Sequence, residues 1–445
     1  MLKRLLNFLS SRPDATPLHT PVIVSRDQHP ISRKNISSGA LRIMRQLDEA
    51  GFPAFLVGGG VRDLLLGGHP KDFDIATSAR PEQIKRLFRG ARIIGRRFQI
   101  VHVRMGREII EVTTFRGPHD QSVNDDGMLL RDNVYGTVET DAVRRDFTVN
   151  ALYYTLDGFA IHDYTGGLKD LEKRQLRIIG DPVVRYKEDP VRMLRAVRFA
   201  AKLGFTIEDG TAKPIFELAP LLRNIPPARL FEEVLKLFMN GSATATFSLL
   251  REYQLLEHLF PATAAALADG DQLGLELIEQ TMANTDKRVR AGKPVTPAFI
   301  YAALLWPPLQ SRLRELSQSH TPLEAHMQAT HDVIGAQLDH TALPKRFMMP
   351  MREMWDMQER LTQFHRAPRL VERARFRAAY DFLILREASG EHLDGLGNWW
   401  TRYQSADEAE RERMVLEAQK QKPRAKRRRR SGRSRSKPNP PSTGE

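Results

Sequence analysis

Between residues 36 and 180 the apolar positions change period several times. Ile36, Ala40, Ile43, Met44 and Leu47 recur at helical spacing and predict a helix over 36–50. Residues 54–117 then alternate short apolar strands with short helices. The pattern predicts strand 54–57, helix 61–66, strand 73–76 and a helix over 83–88 entered through Pro81. Strands 99–104 and 108–114 follow, joined by a turn at Gly106. A polar loop occupies 118–128. Helical spacing resumes over 139–154, and strand patterns mark 159–164 and 176–179. Past Asp181 strand patterns stop. A helix is predicted over 190–203, and helical spacing broken by Pro and Gly runs to about residue 415. The fold class is α+β: a small mixed α/β head followed by all-helical neck, body and tail. The expected division is a loose leader (1–35), the head (36–180), a helical neck (181–255), a helical body (256–415) and a disordered basic tail (416–445). No internal repeat is visible.

Composition adds partners and exclusions. At 445 residues and 41% hydrophobic content the chain can bury several cores. It has no cysteine, which excludes disulfides and thiolate metal sites and fits a reducing cytoplasm. The longest apolar run, 298–306, is far shorter than the roughly 20 residues of a spanning helix. The start, MLKRLLNFLSS, is expected to be a frayed amphipathic terminus rather than a signal peptide. Eleven Lys and Arg lie between Lys420 and Lys437 with no Asp or Glu, so most of the formal +14 sits on the tail. Lys426, Arg427, Arg428, Arg429 and Arg430 form its densest block. Such a block binds polyanions by counterion release, RNA first, with an anionic membrane surface as the other candidate.

The chemistry-bearing residues begin at GGGVRD. Glycines directly after an apolar strand let a backbone approach a phosphate, which places Gly58, Gly59 and then Arg62 beside a triphosphate. Asp72 and Asp74 stand at i and i+2, with Phe73 and Ile75 on the opposite face, so both carboxylates project to one side. Paired carboxylates near such a turn suit Mg²⁺-dependent phosphoryl transfer, with two ions expected and Mn²⁺ as the substitute. A third acid is expected: Glu111, inside the apolar strand IIEVTTF, or Asp146, in RRDFTVNAL. If RRDFTVNAL is helical, Arg145 shares a face with Val149 and Asp146 with Asn150, so Arg144, Arg145 and Asn150 offer phosphate and ribose contacts. Arg192, Arg195 and Arg198 form one stripe at i, i+3, i+6. Asp189 with Arg192 can match the donor and acceptor edge of a base. Ordinary salt bridging of Glu188 to Arg192 is the plainer alternative.

GGGVRDLLLG…DFD, RRDFTVNALYY, HDYTGGLKDL and EDPVRMLRAVRFAAKLGF, in this order, resemble the class II nucleotidyltransferase superfamily of bacterial poly(A) polymerases and tRNA CCA-adding enzymes. The resemblance covers about residues 54–240. It implies a sheet-based head with helical neck, body and tail. It also implies catalytic, metal-binding acids at Asp72 and Asp74, and a third acid at Asp146 or Glu111, with Asp146 preferred because the family motif surrounds it. Ribose selection falls at 144–150, base reading at Glu188, Asp189 and Arg192, and a further neck contact at Arg229. IIGRRFQIVHV, the leader IVSRDQHPISRKNIS and the Arg-rich tail favour the polymerases. The implied activity is untemplated addition of AMP from ATP to RNA 3′ ends, leading to RNA decay, by a cytoplasmic monomer with RNA-decay or RNA-chaperone proteins as partners. The tRNA CCA-adding reaction and a non-catalytic RNA-binding module are the alternatives.

Overall fold

The computed structural model describes residues 20–95, 99–117 and 134–421. It divides into two compact units, Met1–Met351 and Arg352–Glu445.

The first unit opens on a sheet that has eight strands among the described residues: β1 (Val22–Val24), β2 (Ala54–Val57), β3 (Asp74–Thr77), β4 (Ala91–Ile94), β5 (Ile100–Met105), β6 (Glu108–Thr114), β7 (Leu152–Thr155) and β8 (Ile161–Asp163). Their order is β1-β8-β7-β2-β3-β6-β5-β4. Every neighbouring pair is antiparallel except β3 and β6, which are parallel with Asp74 opposite Glu111. Period-two alternation sends Leu56, Ile75, Val101, Ile110, Val112 and Tyr154 to one face. There they pack with Ile43, Met44 and Leu47 of helix α1 (Ser38–Glu49) and Ile84 of α3 (Pro81–Leu87), α2 being Gly59–Leu65. The Ser37 hydroxyl caps α1 by accepting from the Ala40 N–H. The other face carries Phe55, Val57, Ala76, Phe115 and Tyr153, under Ala142 of α4 (Val138–Val143). Asp74 and Glu111 lie on this second face.

Three local expectations change. The leader is not loose throughout: Val22–Val24 pairs with β8, and Ile31 is buried in the head core. Residues 1–19 lie outside the described part. The helix expected over 139–154 stops at Val143. A 3₁₀ turn spans Thr148–Asn150, and Leu152–Thr155 becomes a strand between β2 and β8. Phe147, Val149, Tyr153 and Tyr154 are β-formers, and pairing with two strands overrides the helical spacing. Strand structure also continues past Asp181, because β10 (Thr206–Ile207) pairs parallel with β9 (Gln175–Leu176).

Helices α5 (Gly167–Glu172), α6 (Pro182–Glu188), α7 (Val191–Leu203), α8 (Asp209–Leu218) and α9 (Pro227–Phe238) follow, and the rest of this unit is helical. The helix Lys345–Arg360 contains the division between units. The second unit packs Met357, Leu361, Leu370, Phe376, Leu383, Trp400, Tyr403 and Met414 into its own core. In it the Trp400 indole N–H donates to the Leu361 carbonyl at 3.0 Å. The cations Lys426 to Arg430 lie outside the described residues.

Candidate active site

Gly58 ends β2 with φ +71°, a conformation that a side chain strains, and its amide plane leads directly into α2. A Cβ at Gly58 would sit 3.8 Å from Asp74 Oδ2 and 3.7 Å from Arg145 Nη1. The glycine thus lies between an acid and a guanidinium. Asp74 begins β3 and is half-buried; Asp72, two residues earlier, precedes the strand and is exposed. Glu111 stands across the parallel register from Asp74, and His102 Nε2 lies 3.3 Å from Glu111 Oε1. Burial and the like charges of Glu111 and Asp72 push the Asp74 carboxyl up to about 6, while Arg145 pulls it down. A half-buried carboxylate crowded by two others, beside an open glycine turn, is a donor set that a hard divalent cation relieves. No group of three or more His, Asp or Glu side chains stands at metal-holding separation among the described residues.

Arg145 is fixed by groups that sequence spacing did not single out. Its Nε donates to the Tyr153 hydroxyl at 2.7 Å, and its Nη2 donates to Asp141 Oδ2 at 3.0 Å. The Tyr153 hydroxyl donates to the same Oδ2 at 2.7 Å. Burial opposes the Arg145 charge, but Asp141 and Tyr153 overcome it and hold the group protonated. Only the i, i+4 spacing of Asp141 and Arg145 was visible in the sequence; Tyr153 arrives through the strand that replaced a predicted helix. Beside them a cavity of about 250 Å³ is lined by Thr113, Arg116, Asp141, Arg144 and Arg145. Burial and the neighbouring Arg116, Arg185, Arg145 and Arg192 lower Arg144 to about 9. Such a cluster of cations favours an anion.

Arg62 is not turned to solvent. It is buried, donating to Asp63 Oδ1 through Nε and Nη2 at 2.8 and 2.6 Å and to Asn150 Oδ1 through Nη1 at 2.6 Å. Asn150 Nδ2 in turn reaches Asp146 Oδ1 at 3.4 Å, without the helix first expected there. Asp146 Oδ2 accepts from Arg195 Nε at 2.9 Å and from its Nη2. Burial raises the Asp146 carboxyl, but Arg195, the Phe147 amide and Asn150 outweigh it and bring it down to about 2. Arg62, Asn150, Asp146 and Arg195 therefore form one alternating chain from α2 to α7. Glu111 stands opposite Asp74 across the strand register, while Asp146 is engaged by Arg195. The Phe199 ring lies under the guanidinium groups of Arg62, Arg195 and Arg198, at 5.5, 5.4 and 4.5 Å.

At the junction of α6 and α7, the side chains of Asp189 and Arg192 take different partners. Arg229 Nη2 donates to both Asp189 oxygens, at 2.9 and 2.8 Å. Arg192 Nη1 donates to Glu188 Oε2 at 2.7 Å, the plainer i, i+4 bridge. Arg185, missed in the sequence, shares that same Oε2 at 2.7 Å.

Three family models match the chain: "Poly A polymerase head domain" over residues 54–177, "Probable RNA and SrmB-binding site of polymerase A" over 204–267 and "Polymerase A arginine-rich C-terminus" over 318–435. Poly(A) polymerase I of Escherichia coli O6:H1 is 48% identical over 411 residues, covering 89% of this chain and 88% of its own. The CC-adding tRNA nucleotidyltransferase of Halalkalibacterium halodurans is 40% identical over 212 residues, covering 48% of this chain and 51% of its own. Among solved structures, the CCA-adding enzyme of Bacillus stearothermophilus in complex with CTP is similar at a TM-score of 0.54 and 26% identity, covering 85% of this chain and 81% of that one. The fold and the sequence of the head are those of a nucleotidyltransferase. Within that class, the chain belongs to the poly(A) polymerase family.

Proposed function

We infer that this chain is a template-independent polynucleotide adenylyltransferase, transferring AMP from ATP to RNA 3′-hydroxyls with release of pyrophosphate. The observation that carries this is the 48% identity to poly(A) polymerase I across nearly all of both chains. The tRNA-specific relative above matches only about half of each.

In this reading Asp72, Asp74 and Glu111 hold Mg²⁺, with Mn²⁺ as the alternative. Bound divalent ions supply a lowered pKa at the attacking hydroxyl and neutralise charge on the leaving pyrophosphate. Gly58 and Gly59 bring backbone close to the triphosphate. Arg145, held from behind by Asp141 and Tyr153, presents its remaining edge to that triphosphate, and Arg144 adds positive potential from the adjacent cavity. Asn150 and Arg62 hold the ribose-side wall in place. Asp189 and Arg192, oriented by Arg229 and Glu188, read the adenine edge. Arg195 holds Asp146, and Arg198 stacks over Phe199 toward the RNA end. The tail at 426–430 captures RNA. Action in the cytoplasm as a monomer, promotion of RNA decay and contact with decay or RNA-chaperone proteins belong to the same proposal.

Nucleotide selectivity on a generic RNA oligonucleotide tests it. Long products from ATP alone support the inference. Use of CTP confined to tRNA supports the CCA-adding alternative, which the resemblance to a CTP-bound CCA-adding enzyme keeps in view. No pyrophosphate release with any RNA supports a non-catalytic binding role. Asp72→Ala and Asp74→Ala should each abolish AMP transfer with the fold retained; near-normal turnover in either removes the acid assignment.

A further inference from the structure

Arg185 lies in α6 and is buried. Its Nη2 donates to the main-chain carbonyls of Arg144 and Arg145, at 2.6 and 2.7 Å. Its Nη1 donates to Glu188 Oε2 at 2.7 Å. Arg192 Nη1 then donates both to that same Oε2 and to the Arg185 main-chain carbonyl, each at 2.7 Å. Arg144 is the C-cap residue of α4 and Arg145 follows it, so the two carbonyls lie just past the C-terminal end of that helix, where a cation is favoured. A single planar fork therefore touches the backbone that carries the triphosphate arginines and the carboxylate that orients the base-reading arginine. Gly180, with φ +82°, lies against the Arg185 stem, whose Cδ would be 3.7 Å from an added Cβ.

We propose that Arg185 is a positioning residue that couples base recognition to triphosphate alignment: the Glu188–Arg192 pair and the Arg144–Arg145 backbone move as one piece through its guanidinium. A base that seats against Asp189 and Arg192 then brings the phosphates into line with the acids, and a base that does not seat leaves them displaced. Discrimination is expressed in kcat as well as in KM. A lysine keeps the charge but cannot serve three acceptors in one plane. The inference rests on the base-reading assignment made above.

The test uses the full chain and measures addition of the first AMP or CMP to a short RNA, with thermal melts of every variant. Arg185→Lys is expected to lower kcat for ATP by about tenfold with KM changed less than about threefold, since small displacements of reacting groups cost rate steeply. The ratio of kcat/KM for ATP to that for CTP should fall by a similar factor of about ten. Glu188→Gln keeps the Arg185 bonds to the two carbonyls and weakens the link to Arg192, so it should lose selectivity with a smaller loss of kcat. If Arg185→Lys lowers the melting temperature but leaves kcat, KM and selectivity within about twofold, Arg185 is a helix cap and the proposal falls. An equal rise in KM for all nucleotides at unchanged kcat also overturns it, leaving a diffuse charge effect. Should Arg185→Lys fail to fold, unchanged selectivity in Glu188→Gln overturns it alone. If Asp189→Ala and Arg192→Ala both keep the ATP preference, the base-reading assignment falls and the coupling with it. If those two lose the preference while Arg185→Lys keeps rate and selectivity, only the coupling falls.

Discussion

Asp74 meets burial, two acids and one arginine, and the balance leaves its carboxyl at about 6 against 3.8 in the free side chain. A raised folded-state value means that the folded protein binds this proton more tightly than the unfolded chain does. In the metal-free protein the contribution is therefore fully present below about pH 4 and is lost as pH rises through about 6. Asp74→Asn should raise the metal-free melting temperature at pH 7.5, by roughly 1–2 °C if the relief is about 1 kcal/mol. The gain should vanish near pH 4. Differential scanning calorimetry at the two pH values decides it, and an equal gain at both would show that ionisation of the Asp74 carboxyl, disfavoured by burial and by Glu111 and Asp72, is not its source. Added Mg²⁺ should raise the melting temperature of the wild type and not of the Asn variant.

At the scale of elements, α7 is fastened to the head through Arg195 and Asp146. Asp146→Asn leaves Arg195 without its counter-charge and should destabilise by about 2–3 kcal/mol, given that Arg195 keeps some solvent access. Glu111→Gln removes a carboxylate that is about half exposed and should leave stability within about 0.5 kcal/mol while reducing AMP transfer about a hundredfold or more. Urea melts and turnover, measured together, separate the two acids; equal loss of turnover with no loss of stability in Asp146→Asn would return Asp146 to the metal site. The elements most legible in the sequence were those with strong local punctuation. The Gly58 turn, Pro81 at the start of α3, the Gly106 hairpin and the long apolar stripe of α7 all appear where spacing put them. RRDFTVNALYY was misread because its i, i+4 matches are real but its β-branched and aromatic residues find two strand partners far away in the chain. Tyr153 and Arg185 were illegible for the same reason. Their partners, Asp141 and the carbonyls at 144 and 145, are defined by tertiary contact and leave no periodic trace.

Over the whole molecule, the head-then-helices plan was readable because strand patterns thin out near Asp181, and the short β9–β10 pair barely alters it. The division at Met351 was not readable, since helical spacing runs straight through Lys345–Arg360. No helix among the described residues is long and apolar enough to cross a membrane. Eleven Lys and Arg lie between 420 and 437 with no acid among them, and the proposal gives them the capture of RNA. Deleting 422–445 should leave the melting temperature and first-AMP addition at saturating RNA unchanged, yet shorten the products made per binding event. The shortening should fade as salt rises, because released counterions drive the contact. Identical product lengths at low salt would remove RNA as the partner of the tail and make anionic vesicles the next probe.

The single parallel contact in the sheet, between β3 and β6, has a consequence for how this enzyme can vary in length. Asp74 and Glu111 face one another only because their strands are aligned to the residue. Inserting or deleting one residue before Glu111 within β6 would reverse its faces. Glu111 would enter the apolar layer of Ile75 and Val112, and an isoleucine or valine would take its place beside Asp74. Two-residue changes at the Gly106 turn preserve the phase. A library of length variants selected for activity should therefore recover even changes at that hairpin, but no odd change between Glu108 and Glu111.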